Sequence, residues 1–160
     1  MTFGVGIGYD VHPLVPGRRL VLGGVELESE RGLAGHSDAD VLTHAVVDAL
    51  LGAAGRGDIG QRFPDTDPAW KDADSLVLLR QAVERVGQMG FRVHHVDVTV
   101  ILERPRLGVY KQAMAAALAG ECGIDADRVS IKAKTNEGMG FVGREEGIAV
   151  LATATVEGGA

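Results

Sequence analysis

The segment His36–Asp67, HSDADVLTHAVVDALLGAAGRGDIGQRFPDTD, concentrates acids and histidines around one apolar run. Ser37 and Asp38 precede good helix formers, and either can cap a helix that we expect to end near Ala54. Apolar residues recur along this helix at helical spacing beside a polar stripe. The stripe consists of Asp40, His44 and Asp48. We therefore predict a buried helix whose polar groups need partners.

The flanking sequence predicts strands and further helices. Residues alternate between Gly4 and His12, so Asp10 and His12 point to the same side of a strand. The other expected elements are a β-hairpin at 19–27, strands at 96–102, 129–134 and 148–156, and helices at 75–89 and 109–121. This order favours an α/β or α+β sandwich with a mixed sheet.

Composition limits the classes of function. The 160 residues suffice for one core, and we expect a single domain at 1–160. A formal charge of -6 disfavours nucleic acid and anionic membranes as partners. Cys122 is the single cysteine, which excludes an intrachain disulfide framework and favours a small buried core residue. No leader pattern and no apolar run near ~20 residues is present, so we expect a cytoplasmic protein.

Three side chains predict a metal site. Asp10 and His12 are neighbours on one face of a strand, and His44 on a packed helix can complete a set of two imidazoles and one carboxylate. Three protein ligands suit catalytic zinc, because the fourth tetrahedral position stays open. His36 is a competing ligand, and each group has an ordinary alternative as a hydrogen-bonded side chain. Asp48 either orients His44 or lies in solvent.

The segment 132–147 has the composition of a phosphate site. It leaves a strand through glycines and contains Lys134, Thr135, Glu137 and Arg144. Hydroxyl and cationic groups can hold phosphoryl oxygens, while a carboxylate such as Glu137 can hold a magnesium ion that bridges phosphates. A hairpin with solvated charges is the structural alternative. The chain has neither a P-loop nor a dinucleotide-binding fingerprint.

In order and spacing, these motifs closely resemble those of the 2-C-methyl-D-erythritol 2,4-cyclodiphosphate synthase family. The matching segments are 10–12, 36–40, 44–53, 57–60 and 63–67, within a resemblance that runs from Gly6 to about Val150. The resemblance implies a phosphorus–oxygen lyase of non-mevalonate isoprenoid biosynthesis. Such an enzyme cyclises 4-diphosphocytidyl-2-C-methyl-D-erythritol 2-phosphate and releases CMP. Together with the order of elements, it implies an α+β fold in which a mixed four-stranded sheet packs against helices on one face, with an extra β-hairpin. It also implies a homotrimer with active sites between subunits.

The resemblance also implies roles for individual residues. Asp10, His12 and His44 match the zinc ligands of the family, and Glu137 matches a ligand of Mg²⁺ or Mn²⁺. His36 and Thr135 match residues that stabilise the transition state. Substrate-binding positions are matched by Asp10, Val11, His12, His36, Ser37, Asp58, Ile59, Gly60, Phe63, Pro64, Asp65, Thr66, Asp67, Arg106, Lys134, Thr135, Asn136, Glu137, Phe141 and Arg144. Arg144 also matches a position near a trimer-axis cavity that takes isoprenoid diphosphates.

Some positions depart from the family pattern, and two rival functions stay open. The departures are Ala39 for glycine, Arg106 for lysine, Asn136 and Gly138 for threonine and lysine, and Glu145 for the glycine before Glu146. None is a proposed metal ligand, so they affect chiefly the cytidine and phosphate contacts. The rivals are a zinc phosphoesterase, which would use the open position to activate water, and a noncatalytic trimeric module that binds isoprenoid diphosphates. Asp40 and Asp48 receive no firm role.

Overall fold

The computed structural model describes residues 1–158, which form an α+β fold as predicted. In chain order the elements are β1 (Thr2–Pro16), β2 (Leu20–Leu22), β3 (Val25–Leu27), β4 (Arg31–Leu33), α1 (Val41–Ala53), α2 (Ile59–Arg62), α3 (Ser75–Gln88), β5 (Phe91–Ile101), α4 (Lys111–Cys122), β6 (Val129–Lys134), α5 (Gly140–Gly143) and β7 (Gly147–Gly158). Short 3-10 turns lie at Pro68–Trp70 and Ala126–Arg128.

The main sheet has five strands in the order β4-β1-β7-β5-β6. It is mixed, because β5 and β6 run parallel while the other neighbours run antiparallel. The prediction of four strands was wrong by one short edge strand. β1 continues past Pro13, which lies at the end of the β7 ladder, and then pairs Leu14–Pro16 with β4. The missing N–H of Pro13 therefore falls where β1 changes partners.

The remaining differences from the sequence prediction have local causes. β5 begins at Phe91 rather than near 96, and a register shift between Val93 and His95 interrupts the alternation that would have revealed its first part. α4 begins at Lys111 rather than at Val109, whose side chain is exposed. β6 spans the predicted residues, and β2 and β3 form the predicted hairpin.

Helices α1, α3 and α4 pack on one face of the sheet, as predicted, and enclose an aliphatic core. The single thiol, Cys122, belongs to this core, and burial raises its pKa to about 12. The opposite face of β1 carries apolar side chains that no other element of residues 1–158 buries. These are Phe3, Val5, Ile7, Tyr9 and Val11, with exposed fractions between 40% and 73%. Within the same residues, the structure contains no helix long and apolar enough to cross a membrane.

Glycines on the buried face of β1 set its distance from α1. A Cβ atom on Gly6 would lie 1.9 Å from the carbonyl oxygen of Ala49, and one on Gly8 would lie 1.8 Å from that of Ala45. No larger residue fits at these positions without moving the helix. This close approach brings His44, which precedes Ala45, to the strand that carries Asp10.

The first turn of α1 is capped by Asp40, not by Ser37 or Asp38 as expected. The Asp40 carboxylate accepts hydrogen bonds from the Thr43 backbone N–H at 3.0 Å and the Thr43 hydroxyl at 2.7 Å. It also accepts from two N–H groups of the β2–β3 turn, at 2.9 and 2.8 Å. Asp40 therefore joins the hairpin to the helix, which gives it the structural role that the sequence left unassigned. Ala39 before it has φ 58°, a conformation that suits glycine.

Candidate functional site

Asp10, His12 and His44 converge at one end of the sheet. The Nε2 atom of His12 lies 3.0 Å from Asp10 Oδ2, and the Nδ1 atom of His44 lies 3.2 Å from the same oxygen. The two imidazole nitrogens are 3.3 Å apart. Among residues 1–158, this is the one group of three such side chains whose donor atoms lie within 4.8 Å of one another. The three-donor cluster that the strand and helix spacings predicted is therefore present.

Hydrogen bonds hold both imidazoles in place. His12 Nδ1 lies 2.8 Å from the carbonyl oxygen of Ala34, which can only accept, so Nδ1 carries the proton and Nε2 presents its lone pair to the cluster. On His44, Nδ1 faces the cluster while Nε2 faces the hydroxyls of Ser37 at 3.0 Å and Ser75 at 2.8 Å. Metal-binding histidines characteristically have such partners on their second nitrogen.

The spacing of the three donors fits a tetrahedral metal ion. A tetrahedron with zinc–ligand bonds of about 2.0–2.1 Å has edges of about 3.3–3.4 Å, close to the observed separations. Burial favours the neutral form of Asp10, but hydrogen bonds and charge interactions with His12 and His44 lower its pKa to about 2. Asp10 is thus a carboxylate at neutral pH. Burial opposes a charge on His12, yet the hydrogen bond with Asp10 raises its pKa above the ordinary value.

A cavity of about 440 Å³, which we call the α1 pocket, opens beside this cluster. Ten predicted site residues line it: Asp10, His12, His36, Ser37, His44, Ile59, Gly60, Phe63, Pro64 and Asp65. Three further lining residues, Gly35, Trp70 and Leu78, were not predicted. The α1 pocket therefore combines the three-donor cluster with the glycine- and proline-rich turns that follow α1.

The structure gives His36 one of its expected alternatives, a hydrogen bond to the loop, and gives Asp48 a partner that the sequence did not suggest. His36 stands outside the three-donor cluster, and its Nε2 atom lies 3.3 Å from the carbonyl oxygen of Asp67. Asp48 does not contact His44. Its carboxylate accepts a hydrogen bond of 2.7 Å from the Ile59 N–H, so it anchors the start of α2 at the wall of the pocket.

A second cavity of about 350 Å³, which we call the β6 pocket, lies at the end of β5 and β6. Its lining residues are Leu102, Glu103, Pro105, Arg106, Leu107, Gly108, Lys111, Ala133, Lys134 and Thr135. Glu103 orders its rim, because Oε1 accepts from the N–H groups of Asn136 at 3.0 Å and Gly138 at 3.3 Å. Glu103 was not among the individual site residues that the sequence predicted. Between those amides, Glu137 is exposed and has φ 54°.

An ion pair joins the β6 pocket to the following loop. Two nitrogens of the Arg104 guanidinium, Nε and Nη2, donate to the Glu145 carboxylate at 2.7 and 3.1 Å. Glu145 occupies the expected glycine position and has φ 58°, so the backbone keeps the conformation that glycine would allow. Arg144 pairs with Glu146 at 2.8 Å. Arg104 and Arg144 are therefore each paired with a carboxylate of the same chain.

The two pockets lie at the same end of the sheet but at different edges. In register, Asp10 pairs with Val150, Val150 with Val100, and Val100 with Ala133. Three strand spacings of about 4.8 Å therefore separate Asp10 from Ala133 by roughly 14 Å. The pockets share no lining residue.

Several predicted site residues line neither pocket: Val11, Asp58, Thr66, Asp67, Asn136, Glu137, Phe141 and Arg144. The Val11 side chain lies on the exposed face of β1, and only its N–H contacts the site by donating to Asp10 Oδ1 at 2.9 Å. Asp58 and Asp67 cap α2 and the 3-10 turn that follows it. Both acids, which the sequence matched to substrate-binding positions, therefore also have a structural role as helix caps.

Comparison with known proteins identifies the family. The sequence model of the YgbB family matches residues 3–157. The chain belongs to the YgbB family. Among named relatives, the 2-C-methyl-D-erythritol 2,4-cyclodiphosphate synthase of Symbiobacterium thermophilum is 60% identical over 154 residues, covering 96% of this chain and 98% of the relative. The synthase of Salinibacter ruber is 59% identical over 153 residues, covering 96% and 98%.

Solved structures show the same similarity for this YgbB-family chain. The bifunctional IspDF of Campylobacter jejuni matches with a TM-score of 0.95 and 43% identity, over 99% of this chain and 43% of that one. A 2C-methyl-D-erythritol-2,4-cyclodiphosphate synthase in its CDP-bound form matches with a TM-score of 0.88 and 37% identity, over 96% and 99%. The described fold is therefore that of known cyclodiphosphate synthases.

Proposed function

We propose that this YgbB-family chain converts 4-diphosphocytidyl-2-C-methyl-D-erythritol 2-phosphate into 2-C-methyl-D-erythritol 2,4-cyclodiphosphate and CMP in non-mevalonate isoprenoid biosynthesis. The observation that carries the proposal is the three-donor cluster at the α1 pocket, in a chain 60% identical to a synthase of that name. An oxygen of the 2-phosphate attacks the β-phosphorus. The bond from the β-phosphorus to the bridging oxygen breaks, and CMP leaves with that oxygen, which makes the enzyme a phosphorus–oxygen lyase.

The proposal assigns zinc to Asp10, His12 and His44. Two imidazole nitrogens and one carboxylate oxygen suit zinc, and three protein ligands leave a position for a substrate oxygen. When bound, the ion supplies Lewis-acid polarisation of the phosphoryl group. The protein's contribution is geometric, because the hydrogen bonds on His12 and His44 hold their lone pairs toward the cluster.

The remaining side chains of the α1 pocket hold the methylerythritol phosphate part of the substrate. Phe63, Pro64 and Ile59 supply apolar walls, while Ser37 and His36 present polar groups beside the cluster. Donors in this position stabilise charge that builds on transferring phosphoryl oxygens, which is the role proposed for His36. Thr135 has the same proposed role from the β6 pocket.

The β6 pocket suits the cytidine diphosphate part. Its rim carries Arg106, Lys111 and Lys134, which can neutralise phosphate charge. Glu137 is the proposed ligand for Mg²⁺ or Mn²⁺. Among residues 1–158, Glu137 belongs to no group of three possible metal donors. Substrate phosphates and water would therefore complete the coordination of the ion.

We further propose a single-domain homotrimer in which each active site combines the α1 pocket of one subunit with the β6 pocket of the next. Two observations support this assembly. The pockets are about 14 Å apart within one chain, and the outward face of β1 exposes a continuous apolar strip. The strip would line the trimer interior. The same proposal includes an isoprenoid diphosphate bound on the trimer axis near Arg144.

Product analysis tests the reaction. Purified protein with zinc and magnesium is incubated with the diphosphocytidyl substrate, and phosphorus NMR separates CMP, the cyclic diphosphate and inorganic phosphate. Equal amounts of CMP and cyclic diphosphate are expected. Inorganic phosphate without CMP would identify the phosphoesterase instead, and ligand binding without any product would identify the noncatalytic module.

A further inference from the structure

A buried series of hydrogen bonds extends from the three-donor cluster into the protein. His44 Nε2, the nitrogen that faces away from Asp10, lies 2.8 Å from the Ser75 hydroxyl oxygen. That hydroxyl donates to Asp38 Oδ1. Ser75 is fully buried at the start of α3, and the sequence marked it only as the beginning of a helix. Ser75 has entered so far only as a hydrogen-bond partner of His44, and no role proposed above uses Asp38.

The acceptor at the end of this series determines which group donates in each hydrogen bond. The Ser75 hydroxyl has a single proton, and this proton is used in its bond to the Asp38 carboxylate. The Ser75 oxygen can then only accept from His44, which favours a proton on Nε2, and the Ser37 oxygen, 3.0 Å from the same nitrogen, can also accept. Nδ1 is left with a lone pair that faces Asp10 and His12, as a metal ligand requires.

Asp38 is fixed by further hydrogen bonds. Its Oδ2 accepts from the Ser75 N–H at 3.0 Å, and its Oδ1 accepts from the Asp40 N–H at 3.1 Å. One carboxylate thereby joins the start of α3 to the residue that caps α1. Because both helices hold Asp38, the carboxylate cannot turn away from Ser75 without breaking backbone contacts.

We propose that Ser75 and Asp38 are positioning residues that fix the ring orientation and the tautomer of His44 for binding a divalent metal ion such as zinc. This inference rests on the metal site of the proposed function. It is distinct from capping, because Asp74 caps α3 through the Leu76 N–H at 2.9 Å and does not contact His44. Ser75→Ala would remove the hydroxyl while both the Asp74 cap and the Ser75 N–H bond to Asp38 remain.

Zinc affinity measured by competition with a chromophoric chelator tests the proposal. Ser75→Ala and Asp38→Asn are each expected to bind zinc about 10–100-fold more weakly than the wild type. The control, Asp74→Ala, should melt at a lower temperature but keep its zinc affinity within about twofold. A folded Ser75→Ala protein with wild-type zinc affinity would overturn the positioning role alone. A wild-type protein without zinc affinity would overturn the metal site and this inference together.

A second measurement needs no variant to fold. Long-range ¹H–¹⁵N correlation spectra of the metal-free wild type report which nitrogen of each histidine is protonated. The proton of His44 is expected on Nε2, and a zinc-induced shift is expected at Nδ1. A neutral His44 with its proton on Nδ1 would contradict the direction of the hydrogen-bond chain.

Discussion

The α1 pocket and the β6 pocket differ in how their functional groups are held. In the α1 pocket, His12 and His44 are fixed by partners in or near the core, and the Ser75 hydroxyl behind His44 is fully buried. In the β6 pocket, Lys134 and Thr135 are exposed, and the rim depends on Glu103. The α1 pocket therefore holds its donors in one geometry, which suits the proposed metal ion, whereas charged and hydroxyl groups of the β6 pocket face solvent.

The two pockets also lie apart in the sheet. Both pockets occur in one chain, but two strands lie between β1 and β6. In the proposed trimer, the reaction therefore uses the α1 pocket of one subunit and the β6 pocket of the next. The variants below remove one pocket at a time and show whether the two act as halves of one site.

The largest effect is expected from His44→Ala. Removing one of three ligands should abolish measurable zinc binding and reduce CMP release by at least about 10³-fold. Zinc content and CMP release are measured on the same preparation. The matched control is His94→Ala, since the His94 side chain is 42% exposed and pairs with Glu157 away from the cluster. Wild-type activity in His44→Ala would refute the metal assignment.

Glu137→Gln tests the other half. The exposed carboxylate is the proposed magnesium ligand, so CMP release should fall about 10²–10³-fold while zinc affinity stays unchanged. Chelator competition and CMP release together distinguish the two pockets. Glu84→Gln, on the exposed surface of α3, is the control. Loss of zinc from Glu137→Gln would show that the pockets are not separable within the chain.

Gly8→Ala tests how α1 is placed on β1. The added Cβ would lie 1.8 Å from the Ala45 carbonyl oxygen, so the helix must shift and the free energy of unfolding should fall by about 1–3 kcal/mol or more. Gly87→Ala is the matched control. No atom lies within 4 Å of its added Cβ, and in a helix this change should stabilise by about 0.5–1 kcal/mol. Chemical denaturation measures both, and equal effects would contradict the proposed packing.

The smallest effect is expected from Arg104→Ala at the edge of the β6 pocket. Hydrogen bonds from Arg104 hold the pKa of Glu145 below its ordinary value of 4.5. The pair therefore stabilises the fold above that value and is lost as the pH falls through the lowered pKa. Thermal unfolding from about pH 3 to about pH 7 should show a smaller acid-induced loss in the variant than in the wild type. An unchanged pH profile would show that the pair contributes nothing.

Periodicity indicated that Asp10, His12 and His44 could lie together, although it left His36 as a competing ligand. A period of two places Asp10 and His12 on one side of a strand, and a helical period places His44 on the buried side of α1. The glycines of the same strand explain why α1 comes close enough. Each of these signals is contained within one element, so the sequence displays it directly.

Contacts between distant segments were not predictable in this way. Ser75 meets Asp38 only because α3 and α1 begin side by side, and Glu103 meets Asn136 only because β5 and β6 are parallel neighbours. β4 has three residues, too few for an alternating pattern. Asp48 shared a helical stripe with His44, but its hydrogen bond to Ile59 depends on the turn after α1.

The most direct test of the composite site is an assay of mixed assemblies. His44→Ala and Glu137→Gln chains carrying different affinity tags are coexpressed, and two purification steps retain only assemblies that contain both. In a mixed trimer, one interface pairs an intact α1 pocket with an intact β6 pocket, so CMP release should recover to about one third of the wild-type rate per trimer. Mixed assemblies no more active than the two parent variants would contradict a site shared between subunits.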